Sequence, residues 1–168
     1  MEKKDLKPAG VFKYFEEICQ VPRPSKKEEK MIAYLKAFGA KHNLETKVDE
    51  AGNVLIKKPA TPGKENLQTV VLQSHIDMVC EKNNDVQHDF LTDPIETEID
   101  GEWLKAKGTT LGADNGIGVA TELAILADDS IEHGPLECLF TVDEETGLTG
   151  AFALQEGCLL YTSDAADE

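Results

Sequence analysis

Ser74-His75-Ile76-Asp77-Met78-Val79 directly follows Thr69-Val70-Val71-Leu72-Gln73, an apolar and β-branched run that predicts a buried strand. In an extended chain, residues two positions apart point to the same side, so His75 and Asp77 share a side. A neutral imidazole can bind a metal ion, and a carboxylate beside it can fix its tautomer. A His-x-Asp pair on a solvated loop would have no such role, and short motifs also match by chance. The choice between these two interpretations therefore depends on the rest of the chain.

A glycine-rich stretch from Lys107 to Gly118 is the second unusual segment. Its glycines allow tight turns, and the apolar residues that follow are typical of a buried helix. Asp114 lies where this loop meets the helix, so it is either a helix N-cap or a ligand. A phosphate-binding loop is a weaker interpretation, because the stretch lacks G-x-x-x-x-G-K-[ST] and Asp114 would repel an anion.

Three consecutive acids form the third segment. The run from Pro135 to Val142 predicts another buried strand, and Asp143-Glu144-Glu145 follows it directly. Carboxylates at the end of a buried strand are costly unless something compensates their charge. A solvated turn would compensate it, and so would a divalent cation.

Two helices are predicted before the first strand. Pro8 begins a helical pattern, which ends before Val21-Pro22-Arg23-Pro24 because proline cannot continue a helix. Ser25 and Glu28 match a capping box, which predicts that the second helix starts there.

The alternation of strands and helices predicts an α/β fold, with a sheet that carries helices on its faces. Two strands are expected within 45–57 and a short hairpin within 96–105, with Trp103 packing at the edge of the core. Ligands of open α/β sheets bind at the carboxyl ends of the strands. The His-x-Asp pair and the three acids both follow strands, which favours a shared metal site at this edge.

The donors predicted at this edge are one imidazole and several carboxylates. Such donors suit Zn²⁺, with Mn²⁺ or Co²⁺ as possible substitutes. Because Glu144 and Glu145 are adjacent, one of them can hold a metal ion while the other stays free as a general base. Asp114 is the natural bridge if two metal ions share the site.

Charge and composition exclude several classes of function. Asp and Glu number 32 against 17 Lys and Arg, so the net charge is −15. This sign argues against binding to nucleic acid or to anionic membranes. The apolar runs are too short to span a bilayer, and no signal-peptide core follows the N-terminus, so we expect a cytoplasmic protein. The four widely spaced cysteines predict neither a disulfide framework nor a cysteine zinc site.

Three motifs together resemble those of the M20 metallopeptidase family, in particular its aminoacyl-histidine dipeptidases. They are S-H-I-D-M-V, G-T-T-L-G-A-D-N-G-I-G and T-V-D-E-E-T-G-L-T-G, and the resemblance covers roughly residues 7–157. It implies that His75 binds one zinc, that Asp77 orients His75, and that Asp114 bridges two zincs, often through a cis peptide to the next residue. It further implies that Glu144 is the general base and that Glu145 binds zinc.

The resemblance implies hydrolysis of dipeptides of the Xaa-His type by water that zinc activates, in an enzyme whose full-length relatives form homodimers. On this basis residues 1–157 are expected to be the N-terminal part of a dizinc peptidase catalytic domain, with an incomplete zinc-peptidase-like sheet that carries helices on both faces. The tail at 158–168 is unlike the family and is expected to be disordered, so its acids are not assigned as ligands. The 168-residue chain by itself is expected to have little or no peptidase activity, because two expected ligands and the substrate-binding half are missing. Two alternatives remain: a truncated, non-catalytic fragment with an incomplete metal site, or a related M20 acylase or deacylase.

Overall fold

The computed structural model describes residues 2–155 and 157. The expected tail at 158–168 lies outside these residues. The helices are a 3₁₀ turn at Lys3–Asp5, then α1 (Ala9–Cys19), α2 (Glu29–Lys41), α3 (Ala113–Ala127), α4 (Glu144–Gly147) and α5 (Thr149–Phe152). The strands are β1 (Glu45–Val48), β2 (Val54–Lys58), β3 (Val70–His75), β4 (Thr97–Asp100), β5 (Trp103–Ala106) and β6 (Leu136–Thr141). Within the described ranges, no helix is long and apolar enough to cross a bilayer.

A four-stranded mixed sheet in the order β1-β2-β6-β3 forms the frame of the molecule. β3 and β6 run parallel, and His75 pairs with Thr141 at their carboxyl ends. The segments that follow these two strands therefore leave the sheet at the same edge. This confirms the predicted α/β class and explains why His75 lies close to the acids that follow β6.

The three long helices pack on one face of the sheet. Gly39 of α2 lies against Thr46 of β1, and Glu122 of α3 lies beside Cys138 of β6. Thr46 and Cys138 project from the same face, because both are register partners of Ile56 in β2.

The β4–β5 hairpin forms a separate two-stranded ribbon. The sequence predicted this hairpin, but the prediction for Trp103 was wrong, since its side chain is 71% exposed. Asp100 pairs with Trp103 at the turn of the ribbon, where the main sheet and its core do not cover the indole.

Glu122 is a buried carboxyl group in α3, between the helix and the sheet. Burial raises its pKa to about 8, and hydrogen bonding with Ser74 and Cys138 offsets only part of this shift. The unfolded chain therefore ionises at lower pH than the folded chain does. Between the unfolded pKa and about 8 the native state holds more protons, so the free energy of unfolding falls as the pH rises.

We expect Glu122→Gln to remove this pH dependence, because the amide resembles the neutral acid in shape and cannot ionise. Urea unfolding at pH 5 should give similar stabilities for the variant and the wild type. At pH 9 the variant should be more stable, by on the order of 4 kcal/mol. A stability difference that is the same at both pH values would contradict the ionisation of Glu122.

Candidate metal centre

The edge at the ends of β3 and β6 brings together the predicted site residues. His75 Nε2 lies 3.1 Å from Asp114 Oδ1 and 3.7 Å from Glu144 Oε2. One potential ligand atom each from His75, Asp114 and Glu145 lies within 4.8 Å of the other two. His75 is buried whereas the three carboxylates reach solvent, so the cluster opens at the surface. One imidazole with three carboxylates at this spacing fits the donor set of a divalent metal site.

Asp77 lies behind His75 and is fully buried. His75 Nδ1 faces the backbone carbonyl of Asp77 at 3.2 Å and its carboxylate at 3.3 Å. A proton on Nδ1 is therefore shared with Asp77, and Nε2 is left facing the other acids. This is the arrangement by which a carboxylate orients a metal-binding histidine.

The carboxylate of Asp77 also holds the chain that follows β6. It accepts hydrogen bonds from the backbone N–H groups of Glu144 at 3.0 Å and Glu145 at 3.2 Å. The hydroxyl of Ser25 donates a further bond at 2.7 Å. Asp77 thus positions both His75 and the two glutamates, a double role that its spacing from His75 did not reveal.

These contacts set the charge states of the pair. Burial alone would raise the pKa of Asp77, but hydrogen bonds from His75, Ser25 and the two glutamate amides hold it well below its usual range. Burial alone would lower the pKa of His75, but hydrogen bonds with Asp77 and Asp114 raise it to about 9. The protonated form of His75 is thereby favoured, so binding of a metal ion at Nε2 would release a proton.

Asp114 sits on irregular backbone at the start of α3. Gly112 is the N-cap with a φ of 68°, and the backbone of Asp114 and Asn115 is not helical. The peptide bond between Asp114 and Asn115 is cis, as the resemblance implied. The Asp114 side chain is 87% exposed, points toward His75 and caps no helix, so the N-cap interpretation does not hold.

Glu144 and Glu145 form the first turn of the short helix α4. Asp143 precedes them in the left-handed region, with a φ of 50°. Its carboxylate accepts hydrogen bonds from the hydroxyls of Thr146 and Thr149, and its backbone N–H donates to Glu28 at 2.9 Å. Asp143 is therefore turned into the protein, while its two neighbours face the open cluster.

Sequence reasoning missed two contributors to this arrangement, Ser25 and Glu28. Their spacing suggested a capping box, but α2 begins at Glu29 and neither side chain caps it. Ser25 donates to Asp77, and Glu28 accepts from the backbone of Asp143 and of Lys26. Burial raises the pKa of Glu28, which lies with Asp77 and Asp143 in a second, buried group of acids. A long-range contact of this kind leaves no periodic signal in the sequence.

Several known proteins are similar to this chain. Residues 71–167 match peptidase family M20/M25/M40. The chain is 49% identical to the cytosol non-specific dipeptidase of Escherichia coli, over 99% of its own length and 35% of the relative's. It superposes on the aminoacylhistidine dipeptidase of Vibrio alginolyticus with a TM-score of 0.92 and 54% identity, over 95% of this chain and 33% of that one. The aminopeptidase PepT of Bacillus cereus matches with a TM-score of 0.72 and 26% identity, over 87% and 39% of the two chains. The chain thus spans about a third of the length of these relatives.

Proposed function

The chain belongs to peptidase family M20/M25/M40, and from this premise we propose that it supplies metal-binding and proton-transfer residues of a dipeptidase. The observation that carries the proposal is the cluster of His75, Asp114 and Glu145, whose ligand atoms lie within 4.8 Å of one another. The high identity to two proteins named dipeptidases supports the same conclusion.

In this proposal two zinc ions are held at the edge of the sheet. His75 and Glu145 would each hold zinc, and Asp114 would be shared between the two ions. An imidazole combined with carboxylates suits zinc, and Mn²⁺ or Co²⁺ could substitute. The position of Asp114 supports the bridging role, because its side chain is 87% exposed and its Oδ1 lies 3.1 Å from His75 Nε2.

Hydrolysis then needs a base beside the metal ligands, and Glu144 is suited to it. Bound divalent ions would lower the pKa of water toward 7 and polarise the scissile carbonyl. Glu144 lies 3.7 Å from His75 Nε2, and its side chain remains 36% exposed. It accepts the proton of the attacking water and passes it to the leaving amine. Asp77 fixes the position of Glu144 through the backbone N–H bond described above.

The substrate class follows from the relatives. We propose a dipeptide of the Xaa-His type, since one relative is named an aminoacylhistidine dipeptidase. We further propose a cytoplasmic homodimer that binds neither nucleic acid nor membranes, in line with the net charge of −15. The related acylase or deacylase function is less well supported, because all three relatives named above are peptidases.

Zinc titration calorimetry tests the proposal directly. The 168-residue chain is expected to bind about two zinc ions, and a His75→Ala, Glu145→Ala double variant is expected to bind none tightly. Circular dichroism of both proteins checks that the variant is folded. Equal zinc binding by the two proteins would show that these residues do not form the metal site.

The variant Glu144→Gln distinguishes the role of general base from the role of metal ligand. Because the amide cannot accept the proton of water, hydrolysis of an Xaa-His dipeptide should fall by about 10²–10⁴-fold when the substitution is made in a protein that continues this segment to the length of its relatives. Zinc stoichiometry should stay unchanged. Glu132→Gln replaces a glutamate whose side chain is 73% exposed and serves as the matched control. Hydrolysis at the wild-type rate in Glu144→Gln would contradict the assignment of the base.

A further inference from the structure

Arg23 is the only arginine in the chain, yet its side chain is buried, with 2% exposed. It belongs to the segment between α1 and α2, which the sequence analysis treated only as a helix terminator. A guanidinium buried to this extent is costly unless its N–H groups are hydrogen-bonded. Its partners therefore indicate why the chain places a cation there.

The guanidinium of Arg23 joins two separate parts of the candidate site. Nη1 donates to the carbonyl oxygens of Ile76 at 3.2 Å and Asp77 at 3.3 Å. Nη2 donates to the carbonyl oxygen of Gly112 at 2.6 Å. The first two carbonyls belong to the stretch after His75, and the third belongs to the loop that carries Asp114. One planar side chain thus connects the two segments that bring the histidine and the bridging carboxylate together.

Two glycines on either side of Asp114 make room for this guanidinium. A Cβ atom at Gly112 would lie 2.6 Å from Nη2, and one at Gly116 would lie 2.7 Å from the same atom. Both distances are far shorter than a carbon–nitrogen contact allows. The loop is therefore shaped around Arg23, and its glycines are needed for close packing as well as for the turn.

The backbone of Arg23 is held independently of its side chain. Its carbonyl oxygen accepts a hydrogen bond from the N–H of Met78 at 3.1 Å, and Pro24 forms a parallel bridge with Met78. The segment therefore stays beside the end of β3 even when the side chain is shortened. What the side chain adds is the link to the carbonyl of Gly112.

We propose that Arg23 is a positioning residue that sets the separation between His75 and Asp114. It does so by holding the carbonyls of Ile76 and Asp77 at a fixed distance from that of Gly112. The use of this separation for metal binding rests on the proposed function, whereas the positioning itself does not. Lysine cannot replace it fully, because a single ammonium lacks the planar fork that reaches both segments.

The test measures Co²⁺ binding by visible absorption in the wild type, Arg23→Met and Arg23→Lys, with Lys58→Met as the matched control. Lys58 is also buried and donates to two backbone carbonyls, those of Ile125 at 3.2 Å and Asp128 at 2.8 Å. These carbonyls lie at the far end of α3 from Asp114. We expect Arg23→Met to weaken Co²⁺ binding at least about tenfold, Arg23→Lys to weaken it less, and Lys58→Met to change it less than about twofold.

Hydrogen exchange in the metal-free chain gives a second readout at the amide of Gly116, which donates to the carbonyl of Gly112 at 3.1 Å. Exchange there should be about tenfold faster in Arg23→Met than in Lys58→Met. Unchanged exchange, or equal effects of the two variants on exchange and Co²⁺ binding, would overturn the proposal. If the wild type binds no Co²⁺, the metal site itself fails and the exchange rates decide the role of Arg23. If Arg23→Met does not fold, Arg23→Lys is judged by the same criteria.

Discussion

Replacing Asp77 with asparagine is expected to remove metal binding and to lower the free energy of unfolding by about 3 kcal/mol at pH 7. The wild-type carboxylate is fully buried and accepts hydrogen bonds from Ser25 and from the amides of Glu144 and Glu145, besides facing His75. An asparagine offers one acceptor oxygen in place of two. Its NH₂ group would face backbone or hydroxyl donors, so at least one buried donor would lose its partner.

The pH dependence gives this prediction a second signature. Because the pKa of Asp77 is lowered in the folded state, its contribution to stability is present above the unfolded pKa of about 3.9 and is lost as the pH falls below it. Asparagine cannot titrate. The stability difference between wild type and Asp77→Asn should therefore shrink when urea unfolding is repeated at pH 3.

Asp49→Asn is the matched control for this experiment. Asp49 Oδ1 accepts hydrogen bonds at 2.9 Å from the amides of Ala51, Gly52 and Asn53, in the turn between β1 and β2. The control removes a comparable acceptor from a region outside the metal cluster. We expect Asp49→Asn to lower the free energy of unfolding by about 1–2 kcal/mol and to leave zinc binding intact. Retained zinc binding in Asp77→Asn, with His75 still in place, would show that Asp77 is not needed to orient the histidine.

The sequence predicted the edge of the sheet at which the site lies, because the residues that indicate it directly follow the predicted strands. Apolar runs predicted β3 and β6, and chemically unusual residues followed each of them directly. Parallel pairing of the two strands then places His75 near Glu144 without further information. The capping-box motif at Ser25 and Glu28 failed, because both side chains bond to residues far along the chain.

Two other features were beyond local reasoning for physical reasons. Periodicity identifies an apolar helix face but not the sheet face that it covers, so the placement of α1, α2 and α3 on one side could not be predicted. Glu144 and Glu145 are adjacent residues of the same type, so either of them could bind a metal ion. Only the family resemblance gave them different roles. The structure adds that the carboxylate of Asp77 accepts a hydrogen bond from the backbone N–H of both glutamates.

Replacing Asp114 with alanine is expected to remove both zinc ions, whereas Glu145→Ala should remove one. A bridging carboxylate contributes to both metal sites, so its loss weakens each of them, and a terminal ligand affects only its own. Because the Asp114 side chain is 87% exposed, its removal should change the free energy of unfolding by no more than about 0.5 kcal/mol. Metal loss in Asp114→Ala would therefore reflect the missing ligand rather than a damaged fold.

Equilibrium dialysis against zinc, followed by metal analysis, gives the stoichiometry for each variant. Asp129→Ala is the control, because its carboxylate is 97% exposed and contacts Lys58 at the far end of α3. It should bind as much zinc as the wild type. Loss of a single zinc in Asp114→Ala would make Asp114 a terminal ligand, and full retention would remove it from the site. If Asp114 bridges the two ions, Asp114→Ala must lose more zinc than Glu145→Ala. The reason is that only removal of a shared carboxylate weakens the binding of both ions.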